Sequence, residues 1–398
     1  MNEGIIFVGW VKGMPWRRID VSDQRLEFVV RASEAGSCLA ALCREYGVSR
    51  QAGHLWVKRY REGGAKAVLE ERSRRPHRSP RATKEAMVEA IRQLRQDKPD
   101  WGARKLLAVL RRNGPEWDKV SPTTVHRILD REGLIAAADR RQRALQRFER
   151  QAPNELWQMD FKGPQGFNKG VGPLSVQDDY SRYVVALKQL AGTRLKAVQG
   201  TLQATFEAAG VPDALLMDHG TPWYNGWSPW GWTELSVWIM RQGVRIYLSG
   251  VRHPETQGKV ERMHGSLQQA IRKRKPQPTQ QWLDEFRHEY NHVRPHEGIG
   301  MVTPAERWRP SARRFQAEPR EWPYPAGWEV HRLSGAGQLN WRGQRWEISN
   351  ALRNQLAGLQ RCEDRLVVYF CNVPLREIDL RTGRNVVLPA NPFRELCC

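Results

Sequence analysis

The hydrophobic period of this chain changes near residue 153, and that change bounds what it can fold into. Before it, apolar residues recur at helical spacing; after it, short alternating runs interleave with helices. "NELWQMDFKG" alternates from Leu156. Trp157, Met159 and Phe161 point one way and Leu156, Gln158 and Asp160 the other, which predicts a strand with one carboxylate near its end. "GPLSVQDDYSRYVVALKQL" predicts a hairpin around Asp178, Asp179, Tyr180 and Ser181, where aspartate favours the turn. "TRLKAVQGTLQATFEAAG" predicts a helix with Val198, Leu202, Phe206 and Ala209 inward and Gly210 as its stop. "DALLMDHG" is a short apolar strand ending in Asp218, and "RIYLSG" is another. From about Gly258 the pattern is helical, with Val260, Met263, Leu267 and Ile271 as the buried stripe. Glu261 flanks that stripe, followed by Gly265, Gln268 and Arg272. "TQQWLDEFRHEYNHVRPHEG" predicts a last helix with Trp282, Phe286 and Tyr290 inward, stopped near Arg294-Pro295; Arg294 and His296 either orient that helix or contact DNA, and the structural role is the preferred reading. Alternating strands and helices over residues 153–309 predict an α/β core.

The N-terminal third is helical. Leu39, Leu42 and Cys43 sit at i, i+3, i+4, Gly47 permits a tight turn, and a second helix starts near Ser49 with Leu55, Val57 and Tyr60 as its apolar contributions. Helix, glycine turn, helix is the outline of a helix-turn-helix over residues 15–71. Its second helix presents Arg50, Gln51, His54, Lys58, Arg59 and Arg61, which suit bases and phosphates. "RSRRPHRSPR", residues 72–81 of a linker spanning 72–82, holds five arginines, two prolines and no acid. Such a segment stays extended, and Arg72, Arg74, Arg75, Arg78 and Arg81 fit an arm that tracks phosphates. Residues 83–138 repeat the helical theme. Met87, Ile91 and Leu94 form a stripe. Ser121 is an N-cap, Pro122 suits the first helical position and Gly133 a stop. Thr123, Thr124, His126 and Arg127 would be presented by this second helix-turn-helix-like unit. A basic connector covers 139–152.

Charge speaks to partners rather than fold. The 398 residues hold 64 Lys+Arg against 43 Asp+Glu, a formal net charge of +21, with a pI near 10.2. Such an excess points to nucleic acid. A membrane is the competing polyanion, but no apolar run approaches the roughly 18 residues a spanning helix needs. "GIIFVGWV" at 4–11 is too short and lacks a preceding basic segment. The six cysteines show no C-x-x-C spacing, so they read as reduced thiols in a cytoplasmic, nucleoid-associated protein rather than as a zinc site.

After a Pro-, Arg- and Trp-rich linker at 310–328 come short β-like runs, "WEVHRLS", "GQLNWRGQRWEIS", "RLVVYF" and "PLREIDL", with a hairpin expected around Arg342-Gly343. They predict a small antiparallel β-barrel over 329–390.

Against the basic background, three acids stand out. Asp160 and Asp218 end strands and Glu261 opens a helix, so the three could converge. Carboxylates on a DNA-binding surface do what no cation does: they hold divalent metals, which neutralise phosphate charge and activate an attacking oxygen. Magnesium, or manganese, at two ions per site is the expected cofactor, with Asp160, Asp218 and Glu261 both ligands and catalytic residues. Lys259 and Arg272 would meet DNA beside them. Glu255 is the competing third acid, but it precedes the helix and would be less fixed. Asp178 and Asp179 read as turn chemistry, and His219 as structural.

"LWQMDFKG", "DDYSRYVV", "LLMDHGTPW", "HPETQGKVERMHGSL" and "EYNHVRPHEGIGMVTPAERW" occur in that order. Together with the tandem helix-turn-helix region they resemble a DDE transposase of bacterial insertion sequences, whose catalytic core is similar to retroviral integrases. The resemblance covers roughly residues 15–310. It implies a ribonuclease H-like α/β fold with the motif acids at Asp160, Asp218 and Glu261. It also implies binding to the element's terminal repeats, DNA cleavage, strand transfer into target DNA, and assembly with itself as a multimer on double-stranded DNA. Two departures are visible. His219 stands where the family usually has Asn. The Asp218–Glu261 gap is longer than in the common integrase pattern, by a Gly- and Trp-rich insertion, "WYNGWSPWGWTE". A DNA-binding regulator derived from a transposase would share the basic half without needing the acids; a plain nuclease would need the acids without the tandem reader. "MPWRRIDVSDQRLEFV" from Met14 resembles the start of related chains, and residues 1–13 show no capped or periodic pattern.

Overall fold

The computed structural model describes residues 21–70, 83–135, 149–167, 170–225, 231–249 and 258–388. The Arg72–Arg81 arm, Met14, His253, Glu255, Cys397 and Cys398 lie outside the described residues. The chain divides into two compact units, residues 1–82 and 83–398.

In the first unit, α1 (Val21–Ala32), α2 (Leu39–Glu45) and α3 (Arg50–Leu69) enclose Phe28, Val29, Leu42, Cys43, Val57 and Val68. Ser49 caps α3 by accepting the Ala52 N–H at 3.2 Å. Gly47 turns the chain between α2 and α3 with a positive φ of 65°. Gly53 lets the helices close up: a Cβ there would lie 2.5 Å from Cys43 Sγ and 3.1 Å from the Phe28 ring. That close approach turns Val57 inward and leaves Leu55 on the outer face, 47% exposed, so Leu55 is not the core residue its position suggested.

The second unit begins with α4 (Glu85–Asp97), α5 (Ala103–Asn113), a 3-10 turn at Pro115–Lys119 and α6 (Pro122–Arg131). They bury Val88, Ile91, Trp101, Leu106, Leu107, Trp117, Val125 and Leu129. Val88 and Ile91 are the inward positions of α4, with Met87 and Leu94 at the margin. Ser121 accepts the Thr124 N–H at 3.1 Å, Pro122 takes the first helical position, and Gly133 follows with φ 69°.

The central sheet has the order β3-β2-β1-β4-β7. Its strands are β1 (Trp157–Phe161), β2 (Pro173–Asp178), β3 (Val184–Gln189), β4 (Ala214–Met217) and, after a short ladder of β5 (Tyr224–Asn225) with β6 (Gly231–Trp232), β7 (Arg245–Leu248). β1, β2 and β3 are antiparallel; β4 lies parallel to β1, and β7 parallel to β4. One face packs on α7 (Leu195–Ala209) and α8 (Glu234–Arg241), through Val198, Leu202, Phe206, Leu235 and Ile239. The other packs on α9 (Gly258–Arg274) and α10 (Gln280–His288), which continues as a π-helical turn over Glu289–Val293. Val260, Met263 and Leu267 of α9 are fully buried, a contribution of roughly 1.5–3 kcal/mol each. A short helix, α11 (Pro304–Arg307), closes this part with a capping box between Thr303 and Glu306.

The α4–α6 bundle is seated on the sheet-bearing part by charged groups. Arg274, in the last turn of α9, reaches Asp100 at 2.6 Å and Glu289 at 2.6 Å, and Lys98 meets Glu289 at 2.7 Å. Lys273 Nζ donates to the Pro99 carbonyl at 3.1 Å, and Arg112 pairs with Glu306 at 3.0 Å. Asp100 is almost wholly buried. Removing one partner of so enclosed a network costs more than an exposed ion pair contributes.

The C-terminal strands are β8 (Glu329–Arg332), β9 (Gln338–Trp341), β10 (Gln344–Glu347), β11 (Leu356–Cys362), β12 (Arg365–Phe370), β13 (Val373–Asp379) and β14 (Asn385–Val387). β8 and β11 to β14 make an open five-stranded antiparallel sheet, order β14-β13-β12-β11-β8, and β9 with β10 forms a separate hairpin. Arg342 and Gly343, with φ of 52° and 78°, make the tight turn expected there. Ladder bonds do not close these strands into the expected barrel. The hairpin instead attaches through side chains: Arg376 Nε donates to the Ile348 carbonyl at 3.2 Å and Asn385 Nδ2 to the Glu347 carbonyl at 2.8 Å. No described helix is long and apolar enough to cross a membrane. Cys38, Cys43, Cys362 and Cys371 are free thiols.

Candidate active site

Strand register brings two of the acids together. Trp157 pairs with Leu215 and Gln158 with Leu216 across the parallel β1–β4 ladder. The ladder stops there, and β4 ends at Met217. Asp160, two residues beyond Gln158, and Asp218, two beyond Leu216, follow at the carboxyl ends of these adjacent parallel strands, close enough for the Asp218 charge to act on Asp160. Strand alternation turns Asp160 to the face that carries α9. Burial foremost, then the Asp218 and Glu261 carboxylates, pushes the Asp160 carboxyl up to about 7, against a backbone hydrogen bond from Phe161. Burial also raises the Glu261 carboxyl. Glu261 lies in the first turn of α9 and stays exposed.

A polar bracket fixes that first turn. Gln158 is buried on β1; its Oε1 accepts the Val260 N–H at 3.2 Å and its Nε2 donates to Asp179 Oδ1 at 2.8 Å. Lys259 Nζ stands 2.5 Å from the same Asp179 oxygen. Burial lowers the Lys259 ammonium to about 8, against the pull of Asp179. Lys259, expected at DNA, is thus directed into the protein. Asp178 and Asp179 are fully buried. Asp178 accepts the N–H groups of Asn154 at 2.7 Å and Ser181 at 2.8 Å, and Asp179 accepts the Arg150 N–H at 2.8 Å. They are turn residues that also tie the hairpin to the entry of the core and, through Asp179, to α9.

Three neighbours of the acids were not singled out from sequence. His264 follows Glu261 by one turn; its Nε2 is 2.9 Å from Ser175 Oγ and its Nδ1 is 3.9 Å from Asp160 Oδ2. Burial, with Lys162 nearby, pushes this imidazole down to about 4, so it is neutral near pH 7. Lys162 Nζ donates to Gln268 Oε1 at 2.6 Å, tying the end of β1 to the middle of α9. Trp223 Nε1 donates to Asp218 Oδ1 at 2.8 Å. The i+3 spacing from Glu261 was a visible signal for His264; nothing in a Trp-rich loop marks one tryptophan for Asp218. His219 is half-buried edge-on against Tyr224, with centroids 5.4 Å apart, and burial lowers its pKa. Among the described residues, no three His, Cys, Asp or Glu side chains already form a metal-ready cluster.

The remaining candidates sit on helices away from the acids. Arg50, Gln51, His54 and Lys58 are exposed along α3. Arg59 is partly covered, its guanidinium 4.6 Å from the Trp56 ring centroid. Thr123, His126 and Arg127 are exposed on α6, while Thr124 Oγ1 bonds Ser121 Oγ at 2.9 Å. Arg272 is exposed late in α9. Arg294 and His296 are buried, as expected of structural residues.

Family descriptions cover most of these parts. Homeodomain-like domains match residues 21–69 and 52–129, and integrase core domains match 150–254 and 242–304. An insertion element IS407 protein of Burkholderia multivorans is 24% identical over 56% of this chain and 80% of its own length. An insertion element IS476 protein of Xanthomonas euvesicatoria is 25% identical over 57% of this chain and 66% of its own. Among solved structures, a simian T-cell lymphotropic virus intasome matches 75% of this chain and 99% of its own at 16% identity and a TM-score of 0.36. The HTLV-2 integrase catalytic core solved with magnesium matches 39% of this chain and 97% of its own at 15% identity and a TM-score of 0.30.

Proposed function

We propose, from the premise that this chain is an insertion-sequence transposase with an integrase-like core, that it binds the terminal repeats of its own element, cleaves there, and joins the ends to target DNA. The observation that carries this reading is that Asp160 and Asp218 stand at the carboxyl ends of adjacent parallel strands, near enough to each other and to Glu261 for Asp160 to feel both charges. Burial first, and then like charges gathered without a cation, raise the Asp160 carboxyl, and hard oxygen donors suit magnesium or manganese. The donor set therefore fits a divalent ion, with Asp160 and Asp218 as its principal holders and Glu261 completing the set. A bound ion would supply charge neutralisation at the phosphate and activation of the attacking oxygen.

The chain's own residues do the rest. Arg50, Gln51, His54 and Lys58 of α3, and Thr123 and Arg127 of α6, would read and grip the element end, and the Arg72–Arg81 arm would follow phosphates between them. Gln158 and Asp179 hold the first turn of α9 so that Glu261 stays over the strand ends. In the first reaction water would attack a phosphodiester, breaking its P–O3′ bond to leave a free 3′-hydroxyl and a 5′-phosphate. In the second that hydroxyl would attack a target phosphodiester, breaking the target's P–O3′ bond and releasing a target 3′-hydroxyl. Joining two ends calls for more than one copy on DNA.

The test is magnesium-dependent joining of a labelled element end into a plasmid by the full chain. Joining that is lost in Asp160→Asn, Asp218→Asn and Glu261→Gln, with end binding retained, supports the reading. Full joining by all three variants, or end binding with no joining by the unaltered chain, leaves a DNA-binding regulator as the better account.

A further inference from the structure

The segment after Asp218 is built around its carboxylate. Oδ1 accepts two hydrogen bonds, from the Gly220 N–H at 3.0 Å and from Trp223 Nε1 at 2.8 Å, the indole N–H lying also 3.1 Å from the Asp218 carbonyl. Oδ2 takes part in neither. Trp223 is 2% exposed, and its ring stacks on Phe161 with centroids 5.6 Å apart and planes 11° from parallel. Phe161 is the residue after Asp160, so one indole touches the neighbour of one acid and hydrogen-bonds the other. The segment is held in turn from α8: Thr233, its N-cap, donates through Oγ1 to the Pro222 carbonyl at 2.8 Å and the Trp223 carbonyl at 3.1 Å. Gly220 is fitted closely as well, since a Cβ there would lie 3.0 Å from both Asp218 carboxylate oxygens.

We infer that Trp223 is a positioning residue for the divalent ion: its indole N–H, with the Gly220 N–H, occupies Oδ1 and presents Oδ2 as the single oxygen that Asp218 offers to the metal. This rests on the reading of Asp160 and Asp218 as metal holders. The physical reason is that a carboxylate turning freely about its Cβ–Cγ bond must be ordered when the ion binds, whereas one already clamped by two donors is not. Groups that orient metal ligands typically alter metal affinity or activity by about 10–100-fold.

The experiment is Mn2+ binding to the full chain, read as free Mn2+ by electron paramagnetic resonance, alongside cleavage against Mn2+ concentration. Trp223→Phe keeps the stack on Phe161 and loses only the donor. Its half-saturating Mn2+ should rise about tenfold or more, its cleavage curve should shift by the same factor, and saturating Mn2+ should restore cleavage. A merely structural tryptophan would not give that restoration. Gly220→Ala, which leaves the indole in place and crowds the carboxylate, should move affinity the same way and carries the test if Trp223→Phe unfolds. Unchanged Mn2+ affinity in both variants, while Asp218→Asn loses binding, overturns the role of Trp223 alone. Unchanged affinity in Asp218→Asn overturns the metal reading and this inference with it.

Discussion

Asp178 and Asp179 close β2, and Asp160 and Asp218 close β1 and β4; the two pairs belong to one sheet. The first pair is wholly enclosed and saturated. Backbone N–H groups of Asn154, Ser181 and Arg150, the Gln158 amide and the Lys259 ammonium meet its oxygens. The second pair is partly open, and Asp160 faces other carboxylates more than donors. A saturated carboxylate stabilises the fold that encloses it. An under-compensated one, such as Asp160, is held against its preference by the rest of the structure, as groups at functional sites commonly are. One residue type thus serves architecture or chemistry according to how many donors its neighbours supply.

Exchanging the pairs' consequences is the severest test of that contrast. Asp160→Asn should lower cleavage about a thousandfold or more, since loss of metal-centred charge stabilisation removes several kcal/mol. Its unfolding midpoint should stay level or rise. Asp179→Ala should do the reverse. It leaves Lys259 enclosed without its partner, costing about 3–5 kcal/mol, and lowers the midpoint in chemical denaturation before any effect on metal binding. If Asp179→Ala is as stable as the unaltered chain, the bracket on α9 is not structural. A pH series sharpens the contrast. Asp160 titrates near 7 in the folded state, above an unfolded value of about 3.9. The metal-free fold therefore binds the extra proton between those values, and its stability should fall as pH rises from about 4 to 7. Asp160→Asn should flatten that part of the profile; a slope identical to the unaltered chain would place the titration elsewhere. The smallest effect concerns the exposed cations. Lys58→Ala should leave stability within about 0.5 kcal/mol. It should reduce the slope of log affinity against log salt for DNA by about 0.9 if it meets one phosphate.

Much of the core was legible because its patterns are local. The alternation in "LWQMDF" and the stripe Val198, Leu202, Phe206, Ala209 correspond to β1 and to the inward face of α7. Ser121 and Gly133 marked the ends of α6 through cap chemistry that needs no tertiary partner. What was not legible depends on distant neighbours. α8 went unread because it follows directly on the Trp-rich insertion, sharing only Glu234 with it, and the eight mostly apolar residues "ELSVWIMR" carry no clear period. Leu55 and Val57 are equally apolar; Val57 shares a helix face with Gly53, where the helices approach closely, and Leu55 lies on the opposite face. Gln158 matters through hydrogen bonds to Val260 and Asp179, both remote in sequence, and Trp223 through an indole N–H that only the fold of its segment brings to Asp218. The barrel was expected from strand count, but closure depends on ladder bonds between first and last strands, which alternation does not encode.

Arg274 and Glu261 stand at opposite ends of α9, thirteen residues and about 20 Å apart at helical rise. Arg274 grips the α4–α6 bundle through Asp100, while Glu261 stands among the acids. On the proposed reading, the offset between the bases α6 would touch and the bond the acids would sever becomes a length written into one helix. On that reading the chain would measure its cut from the place where it reads, as a ruler does, and lengthening α9 by a turn should move the incision rather than weaken the hold.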